Sequence, residues 1–538
     1  MSKRKGYTVD EPLRHSDHSR PRTRRDLICQ GFLTGAGTLA GFSALNLISR
    51  RANAALSDDL AARLDECGIR EGSGKVPFIC FDLAGGANFA GSNVLVGGAG
   101  GQEDYLSTAG YSKQGLPGDM LPGQSDPNGV SYTDSSLGLR FHSDSQLLAG
   151  IRARCAGPDV HANINGAVVA ARSENDTGNN PHNPMYAIAL AGPVVDGVVQ
   201  GPYGGITTLI GSRASESGGN SMAPLSMINS EIRPTKVDRP SDVTGLVQVP
   251  SFDGLNNERV VRVMEAVSRI SNAKLGRVNP GYNDLVRDRD LRRKIECAYV
   301  ESAYLADKYG SDGSIDPSTD PLIIDQSPGA ATGIFATGEF DGGGSNGEYR
   351  KTASIMKMVI DGYAAAGTVT MGGYDYHTGD RVTGEARDFR AGECIGACLE
   401  YAARKGQPVM IYVFSDGSVF SNGTMDGQMD IPKGVWTGDS QQTASSFFLV
   451  YNPSGRAELT SPARQQIGHM RPSGDVETSS SPCANNVNLL VQTIMLNYMA
   501  LNGEQQHFAQ ALSTYGVANG LGSGASLDQL IAFNSIVS

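Results

Sequence analysis

The second half of the sequence alternates helix and strand patterns, and this alternation constrains the fold more than any other feature. Helices are predicted near 350–366 and 385–404. Each is followed by a short apolar run typical of a buried strand, at 368–371 and 409–414, and a further strand is predicted at 447–451. Because parallel strands are joined by crossover helices, this order predicts an α/β fold, with a mostly parallel sheet covered by helices on both faces.

The first half of the sequence is predicted to add strands to that sheet. Residues 76–83 and 164–171 are short apolar runs that end in polar loops. Further helices are predicted at 257–274, 283–309 and 484–502. The length suits one large domain or two to three ordinary ones, and we interpret residues 55–538 as a single large domain with loop insertions near 84–135 and 310–348.

Residues 1–54 form a predicted export signal. Arg24 and Arg25 precede a weakly apolar run, residues 31–49, and Ala52-Asn53-Ala54 closes it as a cleavage site. This combination is typical of a twin-arginine signal. We therefore expect the chain to use the twin-arginine export machinery and to work in the periplasm or outside the cell. The alternative is an uncleaved membrane anchor, because the run approaches the ~20 residues that span a bilayer.

The charge balance excludes some classes of partner. The chain has 56 acidic and 45 basic residues, a net charge of −11, and the predicted signal is itself rich in basic residues. Binding to nucleic acid or to an anionic membrane surface needs basic patches, so neither is expected of the chain after signal cleavage. An acidic chain is compatible with cation binding.

Seven of the eight cysteines follow the predicted cleavage site. Because this number is odd, at least one is expected to stay unpaired unless it bonds another chain. Cys394 and Cys398 lie four residues apart on a predicted helix. We interpret them as small buried side chains rather than as a metal site or a bridge.

Polar residues follow four of the predicted strands. They are Asp82, Ser173, Asp375, His377 and Asp416. Ligands of open parallel sheets bind at the carboxyl ends of the strands. Carboxylates that converge there need compensation, and a bound divalent cation usually supplies it. The alternatives are helix caps or Asx-turns for Asp82 and Asp416, and plain loop hydrogen bonding for Asp375 and His377.

Several short motifs resemble those of one family of exported bacterial proteins. They are Asp82-Leu-Ala-Gly-Gly-Ala-Asn88, Phe141-His142, Gly372-Gly373-Tyr374-Asp375-Tyr376-His377, and Ser415-Asp416 followed by Asn422-Gly423. Together with the paired arginines they resemble the domain-of-unknown-function 1501 family, which is placed in the alkaline phosphatase superfamily. The resemblance spans most of residues 24–455, and it implies an alkaline-phosphatase-like fold with a metal site.

The departures from the family's motifs define the expected site. The family's Asp-His-Gly appears here as Gly438-Asp439-Ser440, so the resemblance implies Asp439 as a further ligand while the histidine is missing. The full set of expected metal ligands is Asp82, Asp375, His377, Asp416 and Asp439. An oxygen-rich site with one imidazole suits Ca²⁺, Mg²⁺ or Mn²⁺ better than the two zinc ions of the superfamily's enzymes.

Two functions follow from this reasoning. The first is a metal-dependent hydrolase of phosphate or sulfate esters, in which Ser173 or a water molecule is the nucleophile and the partner is a small ester. The second is a non-catalytic exported protein with a degenerate site, which acts in binding or as an envelope or assembly component with a protein partner.

Changing both Arg24 and Arg25 to Lys should trap an uncleaved precursor in the cytoplasm, because the twin-arginine route recognises this pair. The size and the location of the chain after cell fractionation are the measurement, and changing Arg20 and Arg22 to Lys is the matched control. Export of the Arg24/Arg25 double variant at the control's level would refute the twin-arginine assignment.

Overall fold

The structure is a computed structural model of the 538-residue chain. It describes residues 56–67, 75–173, 181–228, 234–247, 257–277 and 315–537, and several positions within 289–304. Within these ranges, residues 193, 196, 200–208, 214–218, 276, 380, 429 and 430 are not described. The predicted signal at 1–54 and most of the helix predicted at 283–309 lie outside the described residues.

The chain divides into two compact units. One comprises Met1–Cys67 and Val249–Ser311, and the other comprises Gly68–Gln248 and Asp312–Ser538. The interpretation of residues 55–538 as one large domain stays a prediction.

The larger unit is built on an eight-stranded sheet. The strands in chain order are β1 (Phe78–Ala84), β2 (Thr133–Asp134), β3 (Phe141–His142), β4 (Ile164–Val169), β5 (Val194–Val195), β6 (Val198–Val199), β7 (Leu209–Gly211), β8 (Thr235–Lys236), β9 (Ala366–Gly372), β10 (Val409–Phe414), β11 (Val419–Phe420), β12 (Gly438–Asp439), β13 (Ser446–Tyr451) and β14 (Gln466–Ile467). The sheet has the order β14-β4-β13-β10-β1-β9-β7-β8, and β2–β3, β5–β6 and β11–β12 form separate pairs.

The three strands β9, β1 and β10 lie side by side and run parallel. Asp82 of β1 is aligned with Thr370 of β9 and with Phe414 of β10. All residues of β1 and β10 are buried, and since successive side chains point to opposite faces, the sheet is covered on both faces here. The predicted α/β class and the mostly parallel sheet are confirmed, and the alkaline-phosphatase-like detail stays a prediction.

One strand of the sheet, β13, runs antiparallel to both of its neighbours. β13 pairs antiparallel with both β10 and β4. The connection from β10 to β13 contains the β11–β12 pair and a short 3₁₀ turn, Gln441–Thr443, but its described residues include no α-helix. An antiparallel neighbour needs no crossover helix, which accounts for the direction of β13.

The described helices include one near each of the ranges predicted at 257–274, 350–366, 385–404 and 484–502. They are α1 (Asp58–Glu66), α2 (Thr108–Lys113), α3 (Gln146–Arg154), α4 (Pro158–Ala162), α5 (Met185–Leu190), α6 (Pro240–Val247), α7 (Asn257–Leu275), α8 (Ser345–Ile360), α9 (Arg381–Lys405), α10 (Val487–Leu501), α11 (Phe508–Thr514) and α12 (Ala525–Asp528). The helix predicted at 350–366 begins and ends earlier, as α8, because β9 already starts at Ala366.

The smaller unit contains α1 and α7 and one disulfide. Cys67 is bonded to Cys297, 230 residues away in the chain. Arg269 of α7 forms an ion pair of 2.8 Å with Asp59 of α1. The other described cysteines are free and buried, namely Cys80, Cys155, Cys394, Cys398 and Cys483. This outcome agrees with the expectation that at least one cysteine stays unpaired, and with the interpretation of Cys394 and Cys398 as small buried side chains.

Glycine allows α3 and α9 to pack in backbone contact. A Cβ atom on Gly392 of α9 would lie 2.1 Å from the carbonyl oxygen of Leu147, and one on Gly150 of α3 would lie 2.0 Å from the carbonyl oxygen of Phe389. Backbone atoms cannot rotate away as a side chain would, so any larger residue must push the two helices apart.

Gly392→Ala should lower the free energy of unfolding by about 1–3 kcal/mol, because an added methyl group overpacks a tight contact. The measurement is equilibrium urea denaturation. Gly347→Ala is the matched control, because Gly347 lies in α8 with no atom within 4 Å of an added Cβ. That control should stabilise the protein by up to about 1 kcal/mol through lower chain entropy in the unfolded state. Equal effects of the two substitutions would contradict the packing argument.

Candidate metal centre

The loop after β9 brings Asp375 and His377 to the carboxyl edge of the sheet. The backbone N–H of Tyr374 donates to the carbonyl oxygen of Ala84 at 3.1 Å, so the loop continues alongside the end of β1. Tyr374 and Tyr376 are buried, at 1% and 3% exposure. Asp375 and His377, which alternate with them along the loop, are exposed and partly exposed.

The buried tyrosines anchor the loop to α9. The hydroxyl of Tyr374 donates to the carbonyl oxygen of Arg387 at 2.9 Å, and the hydroxyl of Tyr376 donates to Asp388 at 3.3 Å. Asp388 also accepts a hydrogen bond of 2.9 Å from the side-chain amide of Asn93. Burial raises the pKa of Asp388 to about 7. The loop position therefore depends on packing and on this buried carboxyl group.

Three side chains converge at this edge. Nε2 of His377 lies 2.6 Å from Oδ1 of Asp375 and 3.3 Å from Oδ2 of Asp439. One ligand atom of each residue lies within 4.8 Å of the other two. Asp439 reaches the group from β12, which pairs with β11, the strand that follows β10 in the chain. We call Asp375, His377 and Asp439 the cation group, since they form a candidate metal-binding group.

The spacing of the cation group fits one shared ion. Oxygen and nitrogen ligands at bond lengths of ~2.0–2.6 Å lie roughly 3 Å apart when they are adjacent around an ion. The side chains of Asp375, His377 and Asp439 are 56%, 34% and 36% exposed, so an ion there would be open to solvent on one side. The 2.6 Å contact between His377 and Asp375 also fits a hydrogen bond within the loop, which is the alternative to metal binding that the sequence leaves open.

The turn after β1 lies directly against the cation group. Gly85 and Gly86 have φ angles of 124° and 120°, which favour glycine. A Cβ atom on Gly85 would lie 2.5 Å from the backbone nitrogen of Asp375, and one on Gly86 would lie 3.5 Å from Oδ1 of Asp439. The absence of a side chain at Gly85 is therefore what allows the turn to pass beside Asp375.

Asp416 and Ser415 hold this turn in place. The Gly85 N–H donates to Oδ1 of Asp416 at 2.8 Å. The Ser415 hydroxyl accepts from the N–H groups of Gly86 and Ala87 and donates to the carbonyl oxygen of Leu83 at 2.6 Å. Asp416 is only 2% exposed. Its hydrogen bond holds the turn that lies beside Asp375, and its expected role as a metal ligand stays a prediction.

Asp82 binds a different part of the chain. Its carboxylate accepts hydrogen bonds from the N–H groups of Asn220 and Ser221, at 2.7 and 3.0 Å, and from the Ser221 hydroxyl at 3.0 Å. Burial, and then the negative charge of Asp416, raise the pKa of Asp82 to about 6. Asp82 is fully buried and orders the loop around Ser221. It is not a member of the cation group.

Ser173 lies in a cavity of its own. The cavity has a volume of about 250 Å³ and is lined by Arg172, Ser173, Gln441, Asn485 and Val487, without any member of the cation group. Ser173 is 4% exposed, and its hydroxyl has no hydrogen-bond partner among the described residues. A nucleophilic serine is normally hydrogen-bonded to its base. The structure shows no such base for Ser173 in the described part of the chain.

A second cavity at the same sheet edge has no counterpart in the sequence patterns. It has a volume of about 570 Å³, and Arg213, Lys236 and Lys351 are among its lining residues. Arg213 follows β7 and Lys236 ends β8. Both strands are two or three residues long, which is too short for an apolar run to mark them.

Comparisons with protein-family models, with curated proteins and with solved structures return no match. The resemblance to the domain-of-unknown-function 1501 family therefore stays a prediction. In the part of the chain that the structure describes, no helix is long and apolar enough to cross a membrane.

Asp82→Asn should flatten the dependence of stability on pH. A carboxyl whose pKa is raised in the folded state binds more protons there than in the unfolded state, so stability falls as the pH rises between the two pKa values. For Asp82 this window runs from the ordinary value of 3.8 to about 6. At about 1.4 kcal/mol per pKa unit, the wild-type protein should lose up to about 3 kcal/mol more than the variant across this window.

Urea denaturation at several values between pH 4 and pH 7 measures this difference, and Asp119→Asn, at an exposed residue, is the control. Because the lost hydrogen bonds shift the Asp82→Asn curve by a constant, the slope is the readout. Parallel curves for the wild-type protein and Asp82→Asn would contradict the raised pKa.

Proposed function

We propose that this chain is an exported protein on an alkaline-phosphatase-like scaffold that binds a divalent cation and hydrolyses phosphate or sulfate esters. The observation that carries the proposal is the convergence of Asp375, His377 and Asp439, with ligand atoms within 4.8 Å of one another. They lie at the carboxyl edge of a mostly parallel sheet, where ligand sites of such sheets occur.

The donor set favours a hard cation. Two carboxylates and one imidazole suit Mg²⁺, Mn²⁺ or Ca²⁺, whereas a pair of zinc ions is usually held by more histidines. When bound, such a cation supplies Lewis-acid polarisation of an ester oxygen. The half-exposed side chain of Asp375 leaves room for a substrate beside the ligands, as catalytic metal sites require.

The chain's own residues would position the ligands and the substrate. Gly85 lets the turn approach Asp375, and Asp416 fixes this turn by its hydrogen bond to the Gly85 N–H. Water is favoured over Ser173 as the nucleophile, because the Ser173 hydroxyl is hydrogen-bonded to no base in the described part of the chain. Ser173→Ala should therefore leave most of the turnover intact.

The disulfide supports the export part of the proposal. Bonds such as that between Cys67 and Cys297 form and persist in oxidising compartments, among them the bacterial periplasm. A chain that meets such a compartment after export fits both the twin-arginine signal and this bond.

A non-catalytic binding or envelope protein is the second candidate. The observation that favours it is that Asp82 and Asp416 are engaged in backbone hydrogen bonds, which leaves only two carboxylates and one imidazole in the cation group. A site this small can hold an ion for structural reasons alone. Metal binding without turnover of any ester would select this candidate.

Isothermal titration with Mg²⁺, Mn²⁺, Ca²⁺ and Zn²⁺ tests the cation group. Asp375→Asn should weaken the affinity for the preferred ion by more than about tenfold, because even residues that only orient a ligand contribute that much. A concentration of 100 times the Kd should stabilise the wild-type protein by about 2.7 kcal/mol, and the variant much less. Turnover of 4-nitrophenyl phosphate and 4-nitrophenyl sulfate should require the same ion.

Asp119→Asn is the matched control, because it removes one exposed carboxylate outside the cation group. It should bind the ion as the wild-type protein does. If no ion binds, or if both variants bind it equally, the cation group has no metal-binding role and the hydrolase proposal fails with it.

A further inference from the structure

A cationic cavity lies beside the carboxyl ends of β7, β8 and β9. Its volume is about 570 Å³. Cavities that bind small organic ligands usually measure ~300–1,000 Å³, and ligands of parallel sheets bind at this edge. Five of its lining side chains carry charge, namely Arg213, Lys236, Asp238, Glu348 and Lys351.

Two of these side chains, Lys351 and Glu348, have opposite charges and form an ion pair with each other. Nζ of Lys351 lies 2.8 Å from Glu348 and donates to the carbonyl oxygen of Thr370 at 2.7 Å. The two side chains are only 14% and 21% exposed. This pair therefore fixes α8 to β9 and adds no net charge to the cavity.

The remaining charges leave an excess of positive charge. Arg213 and Lys236 are exposed, and neither forms an ion pair within the described part of the chain. Among the lining residues, Asp238 is the only carboxylate besides the paired Glu348. Two cations with no ion pair to any described residue are notable in one cavity of a chain whose net charge is −11. Unpaired cations at a concave surface attract anions.

We propose that this cavity binds the acidic group, a phosphate, a sulfate or a carboxylate, of a small organic ligand. The planar guanidinium of Arg213 can donate two hydrogen bonds to such a group, and the ammonium of Lys236 acts as a point charge. The volume exceeds that of an inorganic oxyanion and leaves space for the organic part. The proposal goes beyond ester hydrolysis and does not depend on it, because no member of the cation group lines the cavity.

The test is isothermal titration of the full chain, first stripped of metal with EDTA and then dialysed into metal-free buffer without the chelator, with phenyl phosphate, phenyl sulfate and benzoate. Phenol is the uncharged control. Stripping the metal removes any binding through an ion at the cation group, so failure of the hydrolase proposal leaves this result unaffected. At least one anion should bind, its affinity should fall with added salt, and phenol should not bind. The preferred anion identifies the acidic group.

Substitutions then locate the site. Arg213→Gln and Lys236→Gln should each weaken binding roughly tenfold or more, because each removes a charged hydrogen bond. Asp238→Asn should strengthen it roughly two- to fivefold, because it removes the opposing charge. That gain cannot arise from misfolding. Arg464→Gln, at a residue that does not line the cavity, is the matched control and should bind as the wild-type protein does.

Failure of all three anions to bind would overturn the proposal. So would equal affinities for Arg213→Gln, Lys236→Gln and Arg464→Gln, or binding of phenol as tight as that of the anions.

Discussion

The parallel hydrogen-bonded register of β9, β1 and β10 is the constraint on which the rest of the structure depends. Asp82, Thr370 and Phe414 are aligned across these strands, so the three strands end within two residues of one another at the same edge. The loops that follow must share a small volume at that edge. Gly85 sits where the turn after β1 meets the loop after β9, and only a residue without a side chain fits there. A slip of one residue in any strand would exchange its two faces and disperse these contacts.

The same register concentrates negative charge, and the chain compensates for it in two ways. Asp82 and Asp416 are buried, and N–H groups of the backbone donate to both. Their mutual repulsion persists and contributes to the raised pKa of Asp82. Asp375 and Asp439 are partly exposed and share the imidazole of His377. Solvent and one imidazole compensate less than a cation would, so this outer pair is the place where binding of an ion would relieve most repulsion.

The sequence predicts those parts of the fold that depend on local pattern. The fully buried runs of β1 and β10 are recognisable because a parallel strand covered on both faces must be apolar throughout. Their polar endings identify the edge. The direction of β13 depends on which strands it pairs with, and its own sequence does not show this. β7 has only three residues, which is too few for a periodic pattern. Likewise, the pattern places Asp82 at the edge, but it does not show that the loop around Ser221 uses its carboxylate.

β9 connects the negative and the positive parts of the edge. Thr370 and Gly372 line the cationic cavity, and Asp375 follows Gly372 by three residues. Three peptide units of ~3.8 Å span at most about 11 Å, so the two regions are close. An acidic ligand is attracted by Arg213 and Lys236 and is repelled by the carboxylates of the cation group, unless an ion neutralises them. Charge alone therefore favours binding of the acidic end of a ligand in the cavity. A charged ester group can bind near Asp375 only when a cation neutralises the carboxylates there.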